Sequence, residues 1–134
     1  MSLERFVKAQ EDSYAKALAE LKAGAKKTHW MWWIFPQMRG LGSTHNSIFY
    51  GIADVAEAVA YMQHPVLGPR YRECFDVVYD QLCVRCVDPL TLMGSDIDVL
   101  KLGSSLELLG TRGQVGTLAR GRVKEVLQRI KGIR

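Results

Sequence analysis

All three tryptophans of the chain fall within four positions, in the run His29-Trp30-Met31-Trp32-Trp33-Ile34-Phe35-Pro36-Gln37. If this run is helical, His29, Trp32 and Trp33 stand at i, i+3 and i+4, which sets an imidazole beside two indoles at one edge of the core. A ligand with a flat ring could stack there, since stacking on a base is worth about 1–3 kcal/mol. The rings could equally be the centre of a small core, each burying a large apolar area with its N–H on a backbone acceptor. Gln37 separates the two readings, because a buried amide is either a structural bridge or the polar end of a pocket. His29 is the residue best suited to act as a general acid or base near neutral pH.

A second group is Lys101, Ser104 and Ser105, whose spacing puts an ammonium and two hydroxyls on one helical face, able to hold a phosphate or carboxylate. Leu108 projects close to the same direction, so the stripe also reads as the margin of the core, with hydroxyls bonded back to the helix. A serine nucleophile with a lysine base is disfavoured, for no glycine-flanked nucleophile turn or oxyanion hole is evident. Arg70 and Arg72 flank Tyr71, and intrahelical pairs with Glu73 and Asp76 are expected of them. Arg70, nearer its helix N-terminus, is the better anion ligand.

Cys83-Val84-Arg85-Cys86 has the gap of a metal knuckle or redox dithiol. Neither four zinc ligands nor a strand-to-helix setting is supplied, so no metal and no cofactor are expected. His45 and His64 read as a loop residue and a helix-end residue, and Asp96 and Asp98 as helix caps.

The elements that must position these groups read as helical throughout. Leu3, Phe6 and Val7 behind Ser2 predict a short first helix. After the polar triplet Glu11-Asp12-Ser13, the residues Tyr14, Ala17, Leu18 and Leu21 predict a second, ended at Gly24. Thr28 to Phe35 is apolar all round and must be buried, with Pro36 ending it. One or two helical turns are expected between Ser43 and Tyr50. Asp54 caps a helix that the His64-Pro65 step closes. The next carries Leu67, Tyr71, Cys74, Phe75, Val78 and Leu82 on one face and should be the longest. Asp88-Pro89 opens a short helix ending at Gly94, Asp96 or Asp98 caps one with Val99, Leu102, Leu106 and Leu109 inward, and Gly110, Gly113 and Gly116 break the chain before the last. That last helix turns Val123, Val126, Leu127 and Ile130 inward. No strand pattern of useful length occurs, which predicts an all-α, single compact multi-helix domain over residues 1–134, with about six to eight helices.

A hydrophobic fraction of 48% with 24% charged residues excludes a disordered chain. No run of about 18 apolar residues or signal-peptide layout occurs, so a cytoplasmic setting without membrane contact is expected. The net charge of +4 concentrates between Arg112 and Arg134, where Glu125 is the lone acid. This basic C-terminal segment, residues 111–134, either is a solvated helical face or tracks the phosphates of nucleic acid.

As a set, these residues resemble the domain-of-unknown-function family 1810. The resemblance rests on Leu3-Glu4-Arg5-Phe6 with Ala9-Gln10, on Thr28 to Trp32 with Ile34-Phe35-Pro36-Gln37, and on Gly40-Leu41-Gly42. It continues with His64 to Arg70, then Arg72-Glu73-Cys74, and ends with Leu100-Lys101-Leu102 before Ser104-Ser105, covering roughly the first hundred and ten residues. It implies a compact bacterial-type helical protein with no established reaction, substrate or cofactor. Some relatives carry the label calpastatin, which nothing in this sequence supports. Two departures stand out. Gly103 occupies a place where members tend to have Arg, and beyond Gly110 the basic tail replaces the usual ending.

Because the matching motifs include polar residues that core packing alone does not need, His29, Gln37, Arg70, Lys101, Ser104 and Ser105 are expected to converge on one pocket. Trp30 and Trp33 would wall it, and a small anionic ligand or nucleotide would fill it. The alternative is a non-catalytic interaction protein docking its basic C-terminal helix on nucleic acid or an acidic partner, and a third reading is a structural dimer.

Overall fold

The computed structural model describes residues 2–40, 42–112 and 120–131, and among them the fold is all-α, with eight α-helices. Helix α1 runs Glu4–Ala23 and ends at Gly24, whose φ of +85° only glycine adopts without strain. The two helices expected here are one. Ser13 sits within it and returns its hydroxyl to the Ala9 carbonyl at 2.8 Å, leaving the backbone ladder intact.

The tryptophan block forms less helix than its apolar character predicts. Helix α2 covers only Met31–Ile34, because Glu20 draws in the amides of Lys27 and Thr28, at 2.8 and 3.0 Å, that would have opened a longer one. Helix α3 is His45–Phe49. Helix α4, Val55–Gln63, is capped by Asp54 as expected, its carboxylate accepting the Glu57 amide at 2.8 Å, and it ends at His64-Pro65. His64 Nδ1 then accepts the amides of Val66 and Leu67, at 3.1 and 3.3 Å, at the entry to α5, Leu67–Tyr79.

At 13 residues α5 is shorter than the 20-residue α1, although a π-helical segment, Asp80–Val84, prolongs it. In that segment the buried Gln81 amide donates to the carbonyls of Leu21 and Lys22, at 2.9 and 3.0 Å, satisfying the open C-terminal end of α1. Helix α6, Pro89–Met93, has the expected Asp88 cap and a left-handed Gly94. Helix α7, Asp96–Ser105, is capped by Ser95 rather than by Asp96 or Asp98; the serine hydroxyl accepts the Asp98 amide at 3.2 Å. A π-helical run, Leu106–Arg112, prolongs α7 and includes Gly110, so no break falls there; Gly113 and Gly116 lie outside the described residues. Helix α8, Arg120–Lys131, closes the fold with Val123, Val126 and Ile130 buried.

The core runs through the middle of the bundle. Phe6 meets Tyr61 edge-on at 5.2 Å and Phe35 meets Tyr71 at 5.4 Å, while Leu21, Val78, Leu82, Leu102 and Leu109 fill the space around them. Two charged clamps tie loops to this frame. Arg5, stacked on Phe6, donates to Glu57 at 3.2 Å and to the carbonyls of Ser2, Phe49 and Gly51. Lys26 reaches Asp98 at 2.8 Å with its side chain almost fully covered. No helix is long and apolar enough to cross a membrane among the described residues.

Candidate functional site

The segment leaving α2 becomes extended at Pro36 and forms a single parallel bridge, Met38 to Ile52, in which Ile52 donates to the Gln37 carbonyl and Arg39 to that of Ile52, both at 2.8 Å. The strap holds Gln37 against α7. Its buried side-chain amide donates to the carbonyls of Lys101 at 2.6 Å and Phe35 at 3.0 Å. Both acceptors require the NH2 group, so the amide orientation is fixed and Oε1 is its remaining hydrogen-bonding atom. Among the described residues no donor reaches it.

Across from this strap, Ile97, Leu100, Lys101 and Ser104 rise from α7 at i, i+3, i+4 and i+7, one face of the helix. With Trp32, Gln37, Met38, Gly42 and Ser47 they line a cleft of about 220 Å³. The Lys101 ammonium lies 3.7 Å from the centre of a Trp32 ring, a cation–π contact, and no carboxylate pairs with it among the described residues. Among the described residues, Lys101 is the one ionisable side chain in the lining.

Of the expected site residues, Gln37, Lys101 and Ser104 meet in this cleft; the others lie elsewhere. Ser105, one residue on from Ser104, turns inward and shares a 2.9 Å hydrogen bond with the buried Tyr71 hydroxyl. Trp30 is a core residue whose indole N–H donates to Glu20 at 2.9 Å. His29 precedes α2 and is exposed, so the helical register with Trp32 and Trp33 does not form.

Trp33 donates to the Ser13 hydroxyl at 2.6 Å and packs on Tyr50. Close by, the buried Gln10 amide binds the Trp33 carbonyl at 2.7 Å and the Tyr61 hydroxyl at 3.1 Å, and its oxygen accepts from Arg70 at 3.4 Å. Arg70 therefore joins Trp33 in a polar seam between α1 and α5, over the Tyr14 ring. The expected pairs of Arg70 with Glu73 and Arg72 with Asp76 are absent from the ion pairs of the described residues. Glu73 takes the Tyr14 hydroxyl instead.

Met38, Ser47, Ile97 and Leu100 line the cleft without having been among the expected site residues, and Trp32, expected beside His29 and Trp33, stands here instead of the expected walls Trp30 and Trp33. The spacing of Ile97 and Leu100 ahead of Lys101 and Ser104 was the available signal; the approach of Trp32 to Lys101 has none in the sequence.

Glu20 organises the tryptophan block from outside it. Its carboxylate accepts the Lys27 and Thr28 amides, the Thr28 hydroxyl at 2.6 Å and the Trp30 indole. Burial alone would raise its pKa, but these donors outweigh that effect and hold it down to about 2.

The cysteines are free, with Cys74 buried and Cys86 exposed at a left-handed φ of 58°. No three His, Cys, Asp or Glu side chains gather to hold a metal ion among the described residues. On α8, Arg129 binds the carbonyls of Leu82 at 3.2 Å and Val87 at 3.3 Å, and Arg122 stacks on Tyr79 at 4.8 Å. Arg120, Lys124 and Lys131 remain exposed.

The fold superposes on the 1.38 Å crystal structure of the conserved hypothetical protein Rv1873 from Mycobacterium tuberculosis with a TM-score of 0.73 and 39% identity, over 96% of this chain and 81% of that one. No curated protein matches the chain. The family model described as a protein of unknown function, DUF1810, matches residues 1–129 and so continues beyond Gly110 into the basic segment. The chain belongs to this family, which has no assigned function.

Proposed function

We propose that the protein binds a small anionic ligand in the cleft between Trp32 and α7. The observation that carries this reading is the fixed amide of Gln37. Two backbone carbonyls take its N–H groups, which leaves Oε1 as an acceptor in a residue that lines the cleft beside the unpaired Lys101 ammonium. A buried acceptor without a donor is costly, and a half-buried cation without a counter-charge is open to an anion. A ligand bringing one negative charge and one hydrogen-bond donor answers both, and Ser104 adds a hydroxyl at the rim. Among the described lining residues Lys101 is the one ionisable side chain, and His29 is exposed and not among them, so binding is favoured over acid–base catalysis.

This cleft is preferred to α8 as the functional surface because two of that helix's cations are already engaged, Arg129 by the carbonyls of Leu82 and Val87 and the exposed Arg122 by the Tyr79 ring. The test is tryptophan fluorescence during titration with inorganic phosphate, sugar phosphates, nucleotides and small carboxylates, for the natural protein and for Lys101→Ala and Trp32→Phe. A saturable change lost in both variants is the expected result. A flat response across the panel, or one that both variants retain, overturns the proposal.

A further inference from the structure

Resting on that reading of the cleft, we infer that its ligand is an amphiphilic monocarboxylate: one carboxylate, one N–H or O–H donor, and an apolar body that lies over α7. Three observations restrict the ligand in this way.

The first is charge. Lys101 is the one cation of the lining among the described residues, and with its ammonium over the Trp32 ring it keeps donors for a ligand oxygen pair. Two neighbouring cations point their hydrogen bonds elsewhere and do not line the cleft. Lys26 is paired with Asp98 at 2.8 Å, and Arg39 donates to the carbonyls of Ile48 and Gly51, at 3.3 and 3.1 Å. Asp96, exposed beside Ile97 in the first turn of α7, adds a negative charge to the same end of the helix. A single ammonium in the lining suits a single negative charge and disfavours a phosphate dianion or a polyphosphate.

The second is the apolar lip. Helix α7 has two hydrophobic faces. Val99 and Leu102 are buried, whereas Ile97 and Leu100, on the face that carries Lys101, are 65% and 52% exposed. An aliphatic face left in water around a lone ammonium complements a ligand with an apolar group next to its charge. The third is size. At about 220 Å³ the cleft falls below the ~300–1,000 Å³ of sites that enclose drug-sized ligands. It takes in the polar head, and the remainder rests on Ile97 and Leu100.

N-Acetylphenylalanine carries all three groups. Its carboxylate meets Lys101, its amide N–H donates to Gln37 Oε1, and its ring covers the lip. Calorimetric titration of the full chain would compare it with N-acetylphenylalanine amide, acetate, phenyl phosphate and AMP. The acid is expected to bind about tenfold or more tighter than the amide, the difference a charged hydrogen bond carries. It should also bind tighter than acetate. Lys101→Ala should lose the same factor, and Ser104→Phe, which fills the cleft from an exposed position without touching the core, should abolish binding.

A peptide ending in Phe presents the same chemistry, and a six-residue one belongs in the panel. Equal affinity marks a free small carboxylate as the source, tighter peptide binding marks a chain terminus, and both support the inference. Phenyl phosphate or AMP binding tighter than the acid overturns the monocarboxylate while leaving an anion cleft. Failure of every compound overturns both.

Discussion

Replacing Glu20 by Gln isolates the charge that anchors the tryptophan block. Three of its four hydrogen bonds arrive at Oε1, from the amides of Lys27 and Thr28 and the Trp30 indole, and the fourth joins Oε2 to the Thr28 hydroxyl. A glutamine can keep the first three on its carbonyl oxygen and donate to a rotated Thr28 hydroxyl, so Glu20→Gln preserves shape and removes charge assistance. The native pKa is depressed from 4.5 to about 2. The group therefore contributes stability that is fully present above about pH 4.5 and lost as pH falls through about 2, because the unfolded chain takes up the proton first. At ~1.4 kcal/mol per pH unit the ceiling is about 3.5 kcal/mol, and solvent screening of this partly exposed carboxylate brings the expected value to about 1–2 kcal/mol. Urea unfolding of both proteins from pH 7 down to pH 2 measures it. The difference between them should be about 1–2 kcal/mol at pH 7, begin to shrink below pH 4.5 and vanish near pH 2. A difference that stays constant across this range would mean that the carboxylate acts by shape alone, and the electrostatic argument would fail.

Two glycines should respond in opposite directions. A Cβ on Gly68 would stand 2.2 Å from the Met62 carbonyl oxygen, a backbone atom that cannot step aside where α4 hands over to α5. Gly68→Ala should therefore cost about 3 kcal/mol or more in chemical denaturation, with a loss under 1 kcal/mol contradicting the close approach. A Cβ on Gly103 would meet only Ile130, at 3.9 Å, inside α7. Gly103→Ala should gain about 1 kcal/mol, and any loss would show that the start of the π-helical run needs the glycine. Thiol labelling with Ellman's reagent at pH 8 should modify Cys86 readily, Cys83 more slowly and Cys74 only on unfolding, since burial drives the Cys74 thiol up to about 12. Native-state labelling of Cys74 at the rate of Cys86 would refute its burial.

Much of the fold was legible because helices announce themselves locally. The Asp54 and Asp88 caps, the His64-Pro65 stop, the left-handed glycines 24 and 94 and the inward face of α8 follow from spacing and residue type. Two of the misreadings come from a side chain that bonds a backbone group. Glu20 captured the amides of Lys27 and Thr28 and shortened the expected tryptophan helix to Met31–Ile34. Ser13, bonded back to Ala9, allowed a polar triplet to sit inside a continuous helix. The Glu20 partners are seven and eight residues away, beyond a helical turn, whereas the Ser13 bond reaches only four residues back and shows that a polar triplet by itself does not end a helix.

The site was half legible for a related reason. Helical spacing correctly groups Lys101 with Ser104, yet the rotation of about 100° per residue carries Ser105 from the cleft wall to the buried Tyr71 hydroxyl. The indoles divide in the same way. Over a single turn Trp30 faces the core, Trp33 faces the seam with Gln10 and Arg70, and Trp32 is left for Lys101. A dense aromatic motif is therefore three anchors on three surfaces, not one wall. The polar residues of the matching motifs sort accordingly, with Gln10 and Arg70 closing the α1–α5 seam and Gln37, bonded to the Lys101 carbonyl, sharing the cleft lining with Lys101. What distinguishes the second pair is unfinished bonding. Gln10 uses both ends of its amide within the protein, whereas Gln37 uses only its NH2 group among the described residues. That difference, together with the exposed Ile97 and Leu100 around an unpaired ammonium, is the physical ground for looking to α7 for a ligand.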